Sequence, residues 1–200
     1  MLLSLGEFVA WYNGEPSFAD ARFDLSCESA VVIGQGNVAL DVARILLAPV
    51  EELAKTDITL YALEALKKSK VKEVHIVGRR GPAQASFTNK ELREILDLKD
   101  CKTLVQPADA LELNAASIEE TKAERGKKRM IDLLKNKITA AEDKQGGKKV
   151  VLHYLKSPVR LLSGQAKDAL GAIETERNRL EGDAGNQRAV GTGLREVPTR

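Results

Sequence analysis

Two groups of residues in this chain have the types and spacing to hold phosphate. The first is Gly34-Gln35-Gly36 with Ala39 three positions on, a GxGxxA pattern. One glycine makes a tight turn, the next lets backbone approach a pyrophosphate, and a small residue at the last position lets a helix pack close to a strand. The second is Arg79-Arg80, set between Gly78 and Gly81-Pro82. A guanidinium is permanently charged, and its fork of donors matches phosphate oxygens. An acid at this place would take the ribose 2′-hydroxyl of NAD. Two arginines argue instead for a 2′-phosphate, and so for NADP over NAD. Each feature has a plainer alternative: glycine turns join many strands to helices, and an arginine pair at a strand end also suits a solvated loop.

The elements around these residues favour the chemical reading. Residues 30–33 (AVVI) are a short β-branched run that suits a buried strand. Residues 37–47 (NVALDVARILL) repeat apolar positions at spacings of three and four, as a helix does. The free N–H groups of its first turn, with the positive end of the helix dipole, would face an anion. Val74, Ile76 and Val77 make a second strand, and Gly78 begins the turn at its carboxyl end. Ligands collect at that end of an open α/β sheet. Arg79 falls 43 residues after Gly36, against about 20 in the simplest unit. The segment 48–70 accounts for the difference. Pro49 ends the first helix, 51–54 suits a helical turn, and Thr56, Asp57 and Thr59 offer caps ahead of a helix over 60–70. Its apolar face contains Leu60, Leu63 and Leu66.

The flanking sequence is read in the same way. The aromatic residues of 8–12 suggest a strand running into an Asn13-Gly14 turn. Trp11 and Tyr12 either line a cofactor or pack at the domain entrance. Thr88 and Glu91 have the spacing of a capping box at the start of a helix within 86–96. That accounts for Glu91 structurally, and a cofactor contact suits the same place. A third strand is expected over 103–105, and a single cationic amphipathic helix over 122–137. A linker follows over 140–149, then strands over 150–155, with Pro158 after it, and over 170–180. No strong terminal element is expected in the glycine-rich stretch 182–200.

Composition excludes several classes. The 200 residues carry 31 Lys and Arg against 29 Asp and Glu, a formal charge of +2, with the cations spread among the acids. Nothing global argues for nucleic acid. No apolar run approaches the length of an integral membrane segment. Cys27 and Cys101 have no metal-type spacing and read as reduced structural thiols, which fits an intracellular or organellar compartment. The amino terminus lacks the basic and long apolar regions of a secretory signal. No set of acid, base and nucleophile stands out. His75 and His153 have no companion in sequence and read as strand residues. Tyr154 does not head a helical Tyr-x-x-x-Lys pair, which discounts a short-chain dehydrogenase.

In this order, WYNG, DLSCESAVVIGQGNVALDVARILL and VHIVGRRGPAQASFTNKELREIL resemble the NADPH-binding domain of the adrenodoxin-reductase family of ferredoxin–NADP reductases. The likeness is clearest over 8–107 and looser beyond. It implies an α/β, Rossmann-like domain with a central, mostly parallel sheet and helices on both faces. It implies that Gln35, Gly36, Asn37 and Val38 wrap the pyrophosphate, that Arg79 and Arg80 hold the 2′-phosphate, and that Glu91 contacts the adenosine end. It further implies that Arg93, Arg125 and Arg129 belong to a basic surface facing an adrenodoxin-type [2Fe-2S] ferredoxin. In that family electrons pass from NADPH through FAD to the ferredoxin.

The family's own amino-terminal flavin motif is not found here. Residues 1–29 are therefore expected to be a lead-in from a missing FAD domain, and 30–200 an NADP-binding domain incomplete at its carboxyl border. The expected function is the NADPH module of a parent oxidoreductase, inactive without its FAD domain. The parent would be mitochondrial (matrix or inner-membrane periphery) in a eukaryote and cytoplasmic in a bacterium. The alternative is a non-catalytic NADP-binding or protein-docking domain. Visible flavin absorbance distinguishes the two.

Overall fold

The structure is a computed structural model that describes residues 4–141, 147–164 and 170–197. Two sheets organise it. The first is parallel and four-stranded, in the order β1-β2-β4-β3: β1 (Ser29–Ile33), β2 (Glu73–Val77), β4 (Lys148–His153) and β3 (Cys101–Gln106). The second is antiparallel, in the order β5-β6-β7: β5 (Lys156–Ser163), β6 (Leu170–Glu181) and β7 (Arg188–Glu196). The protein is an α/β fold.

The parallel sheet carries the core. Val74, Ile76, Val150 and Leu152 are fully buried and alternate with residues of the opposite face. α2 (Asn37–Leu47) packs on β1, β2 and β4, and buries Ala39, Leu40, Val42, Ala43 and Ile45 to Leu47. α5 (Asn89–Leu96) and α7 (Arg125–Ala141) pack on β3 and on each other. The expected helix over 37–47 and strand over 74–77 are thus present. β1 differs from the expected buried strand: only Val32 is buried, while Val31 and Ile33 are exposed. β1 is the edge of its sheet, and the face that carries Val31 and Ile33 is not covered by any described element.

Further expectations are corrected. Residues 8–12 are helical, in α1 (Leu5–Tyr12). Ser4 Oγ accepts from Gly6 N at 3.2 Å, and Ser4 N donates to Glu7 at 3.4 Å, a reciprocal cap. Phe8, Trp11 and Tyr12 then fall at helical spacing and pack with Phe23 and Tyr61. The reading of Trp11 and Tyr12 as packing residues holds.

Within 48–70, α3 (Val50–Leu53) and α4 (Leu60–Lys67) form, but α4 stops at Lys67 rather than 70. Its N-cap Thr59 makes no side-chain cap bond, its hydroxyl donating to Trp11 O instead. Leu60, however, is 79% exposed, and Ala62, Leu63 and Leu66 make the buried face. The cationic stretch is broken at Glu124 into α6 (Ala115–Ala123) and α7, because Glu124 takes extended geometry. Pro158 lies inside β5, at a register shift on an outer strand, where a missing N–H is tolerated. β7 fills the stretch expected to be featureless. Gly191 pairs with Asn178 of β6, and a Cβ on it would meet the Glu176 carboxylate at 2.3 Å. At the site, the expected capping box at Thr88 does not form either. The expected linker over 140–149 falls partly outside the described residues.

Candidate functional site

The parallel register Ile33↔Val77 puts the ends of β1 and β2 side by side. Gly34 therefore lies beside Gly78, and the 43-residue gap in sequence closes to a backbone contact: Gly34 N donates to Val77 O at 2.9 Å. Gly34 has φ +130°, which favours glycine. Gly36 is the N-cap of α2 and has no side chain to cap with. Ala39 and Leu40 N–H reach back to Gly36 O. The N–H groups of Asn37 and Val38 have no protein acceptor among the described residues. The first turn of α2 is open to an anion, as a pyrophosphate needs.

Arg79 and Arg80 follow directly. Their backbone is pinned and their side chains are not. Asn178 Nδ2 donates to Arg79 O at 2.8 Å, and Leu155 N to Arg80 O at 3.1 Å. Among the described residues neither guanidinium has an ion-pair partner. Two unpaired cations on a fixed backbone suit a phosphate group.

The loop leading from these arginines to α5 is tied to the glycine turn. Ser86 N and Oγ both donate to Gln35 O, at 2.9 and 2.8 Å. Thr88 N donates to Asn37 Oδ1 at 2.8 Å. This replaces the expected capping box, since the Thr88 side chain makes no cap bond. Glu91 Oε2 and Asn89 Oδ1 are buried without donors in the first turns of α5. An unmet buried acceptor is costly, and a ligand hydroxyl or amine would satisfy it. These observations fit a dinucleotide with a 2′-phosphate.

No profile of a described protein family matches the chain. Individual relatives do. It is 42% identical over 198 residues to the mitochondrial NADPH:adrenodoxin oxidoreductase of Arabidopsis thaliana, covering 96% of this chain and 41% of that protein. It is 44% identical over 199 residues to the Bos taurus enzyme of the same name, covering 96% and 40%. Mycobacterium tuberculosis FprA, solved in complex with NADPH, superposes with a TM-score of 0.85 at 38% identity, covering 98% of this chain and 42% of that one. This chain is a homologue of the NADPH:adrenodoxin oxidoreductases. It spans about two-fifths of the length of the curated relatives it matches.

In this adrenodoxin-reductase homologue the three arginines expected at a partner surface lie on two adjacent helices. Arg125 and Arg129 are exposed and four residues apart on α7; Arg93 is half-buried on α5. Asn89 Nδ2 donates to Gly126 O at 3.0 Å, joining the starts of the two helices. None of the three arginines has an ion-pair partner among the described residues.

Sequence reasoning missed two clusters. In the first, the two N–H donors of Gln84 Nε2 are shared among Ser117 Oγ, Glu120 Oε2 and Gln187 Oε1, at 3.1, 2.8 and 3.3 Å. Lys127 Nζ donates to Glu120 Oε1 at 2.6 Å. Burial raises the Glu120 carboxyl, but Lys127 and Gln84 outweigh it and hold it below the usual carboxylate range. The cluster joins the arginine loop to α6, α7 and the β6–β7 turn. Gln84 meets partners 33, 36 and 103 residues away, so no local pattern announces it.

In the second cluster, His75 Nδ1 lies 2.8 Å from His153 Nε2, with the rings stacked. His75 Nε2 lies 3.1 Å from Glu73 Oε1, which Lys149 also pairs. Burial pushes both imidazoles down, His153 to about 4 with further repulsion from His75 and Lys156. Strand residues was the right reading, yet each is the other's companion. Tyr154 is fully buried, its hydroxyl pushed up by burial and without a hydrogen-bond partner among the described residues.

Proposed function

We propose that this chain is the NADPH-binding module of a flavoprotein oxidoreductase that delivers electrons through FAD to an adrenodoxin-type [2Fe-2S] ferredoxin. The observation that carries this reading is the conjunction of the open first turn of α2 with two unpaired arginines on the neighbouring loop. The likeness to FprA, solved with NADPH, supports it. Gly36, Asn37 and Val38 would hold the pyrophosphate by backbone N–H groups, Arg79 and Arg80 the 2′-phosphate, and Glu91 the adenosine end. Gln35 lies in the same turn. When bound, the cofactors would supply the redox chemistry, NADPH as a two-electron hydride donor and FAD as a carrier able to pass electrons on singly with release of a proton. This chain's own residues bind and orient the nucleotide; none is assigned an acid, base or nucleophile role.

In this reading FAD is bound by parts of a longer protein. Arg93, Arg125 and Arg129 would face the acidic ferredoxin, an electrostatic steering role. The mitochondrial relatives support a mitochondrial place for a eukaryotic parent, and a bacterial parent would be cytoplasmic. Among the described residues no helix is long and apolar enough to cross a membrane.

Calorimetry of the 200-residue chain with NADP+ and NAD+ tests the reading. The expected result is NADP+ binding at least tenfold tighter. Equal affinity for the two would remove the 2′-phosphate assignment. Flavin bound to the purified chain would overturn the placement of FAD elsewhere.

A further inference from the structure

Gln35 is the only side chain in the glycine turn that crosses the sheet. It runs over Gly78: a Cβ on Gly78 would lie 1.8 Å from Gln35 Cδ, 2.1 Å from Oε1 and 2.3 Å from Cγ. Gly78 is buried and has no positive φ, so glycine is required there for space and not for conformation. Beyond Gly78 the amide reaches β4, where Gln35 Nε2 donates to His153 O at 3.0 Å. The same carbonyl accepts Gly78 N at 2.8 Å. On the other side, Gln35 O takes both donors of Ser86. One residue therefore joins four segments: the turn after β1, the end of β2, the end of β4 and the loop before α5.

We propose that Gln35 is a positioning residue whose side chain latches the glycine turn to β4 through the notch at Gly78, setting the phosphate-facing turn of α2 against the Arg79-Arg80 loop. This rests on the nucleotide-binding reading above. A dinucleotide with a 2′-phosphate must engage both loops at once. A turn held in place before the ligand arrives spares the ordering cost that binding would otherwise meet. The side-chain amide is already committed to His153 O, so its contribution to affinity comes through placement of the turn.

The test is a double-mutant cycle in the full 200-residue chain, read by NADP+ titration. Gln35→Ala removes the latch; Gly78→Ala fills the notch and expels it. Each is expected to weaken NADP+ binding about tenfold, the yield of one lost hydrogen bond. The three atoms nearest a Cβ on Gly78 all belong to Gln35. The double variant should therefore fold even if Gly78→Ala alone does not, and bind within about twofold of Gln35→Ala. The second readout is the Gln35 side-chain amide by NMR. Slow exchange in the nucleotide-free chain, with little shift on adding NADP+, supports the latch. Solvent-rate exchange, a large shift on binding, or wild-type affinity in Gly78→Ala overturns it. If the unaltered chain fails to bind NADP+, the nucleotide reading falls, and the amide exchange still decides whether the latch exists.

Discussion

Four arginines on the antiparallel sheet are paired with acids and five around the parallel sheet are not, although Arg44 on α2 pairs with Asp41 and Glu94, and Arg188 on β7 has no ion-pair partner among the described residues. On the antiparallel sheet, Arg160 and Arg195 share Glu174 at 3.4 and 3.7 Å, Arg177 faces Asp109 at 3.8 Å, and Arg179 meets Glu181 at 2.6 Å. Around the parallel sheet, Arg79, Arg80, Arg93, Arg125 and Arg129 have no such partners among the described residues. A paired surface cation contributes little beyond local order. An unpaired one, on a backbone held by neighbouring strands, keeps its donors for a ligand or partner. The same division runs through the core. The central parallel strands β2 and β4 bury Val74, Ile76, Val150 and Leu152 completely, whereas Val159, Leu161, Leu170 and Leu194 stay exposed on the antiparallel ones.

Three substitutions break or sharpen this contrast. The largest effect is expected from Arg79→Ala/Arg80→Ala, which removes two charge-assisted contacts. NADP+ affinity should fall by about 4 kcal/mol, roughly a thousandfold, with NAD+ affinity little changed. Calorimetry on both nucleotides checks it, and a loss shared equally by NAD+ would show that the arginines do not read the 2′-phosphate.

Acid gives the next largest effect. The buried His153 falls from its usual 6.5 to about 4. The unfolded chain therefore binds more protons between these values, and stability falls as pH drops through that window. Above about pH 6.5 both states are neutral and no penalty applies. The loss should be on the order of 2 kcal/mol between pH 7 and pH 4.5. Urea denaturation across that range should show His153→Leu losing markedly less than the unaltered chain; the same slope in both would place the acid sensitivity elsewhere.

The smallest effect belongs to Arg179→Ala on the antiparallel sheet. It should cost under about 1 kcal/mol of stability and leave NADP+ affinity unchanged. A tenfold loss of affinity would erase the distinction between the two sets of arginines.

Periodic segments near the turn were legible because their signals are local. The helix over 37–47 announces itself by apolar spacing, and Gly34, Gly36 and Ala39 by the turn they open. Phe8, Trp11 and Tyr12 carry a helical spacing too, but clustered aromatic residues ahead of a turn equally suit a strand, and the Ser4 cap decides for the helix. The Thr88–Glu91 pattern misled because the competing acceptor, Asn37 Oδ1, lies 51 residues away. β7 was missed because a glycine-rich strand has little side-chain signal of its own and forms by pairing with β6.

Sequence alone determined the chemistry on offer: a glycine turn that leaves helix N–H groups free, and two permanent cations after the next strand. These depend on residue type and short spacing, which survive without a fold. Only the tertiary structure decided that Gly34 and Gly78 adjoin, that Gln35 reaches His153 across the sheet, and that His75 and His153 stack. Those contacts depend on strand order and register. The order β1-β2-β4-β3 brings residues tens of positions apart within hydrogen-bond distance, and no local pattern encodes it.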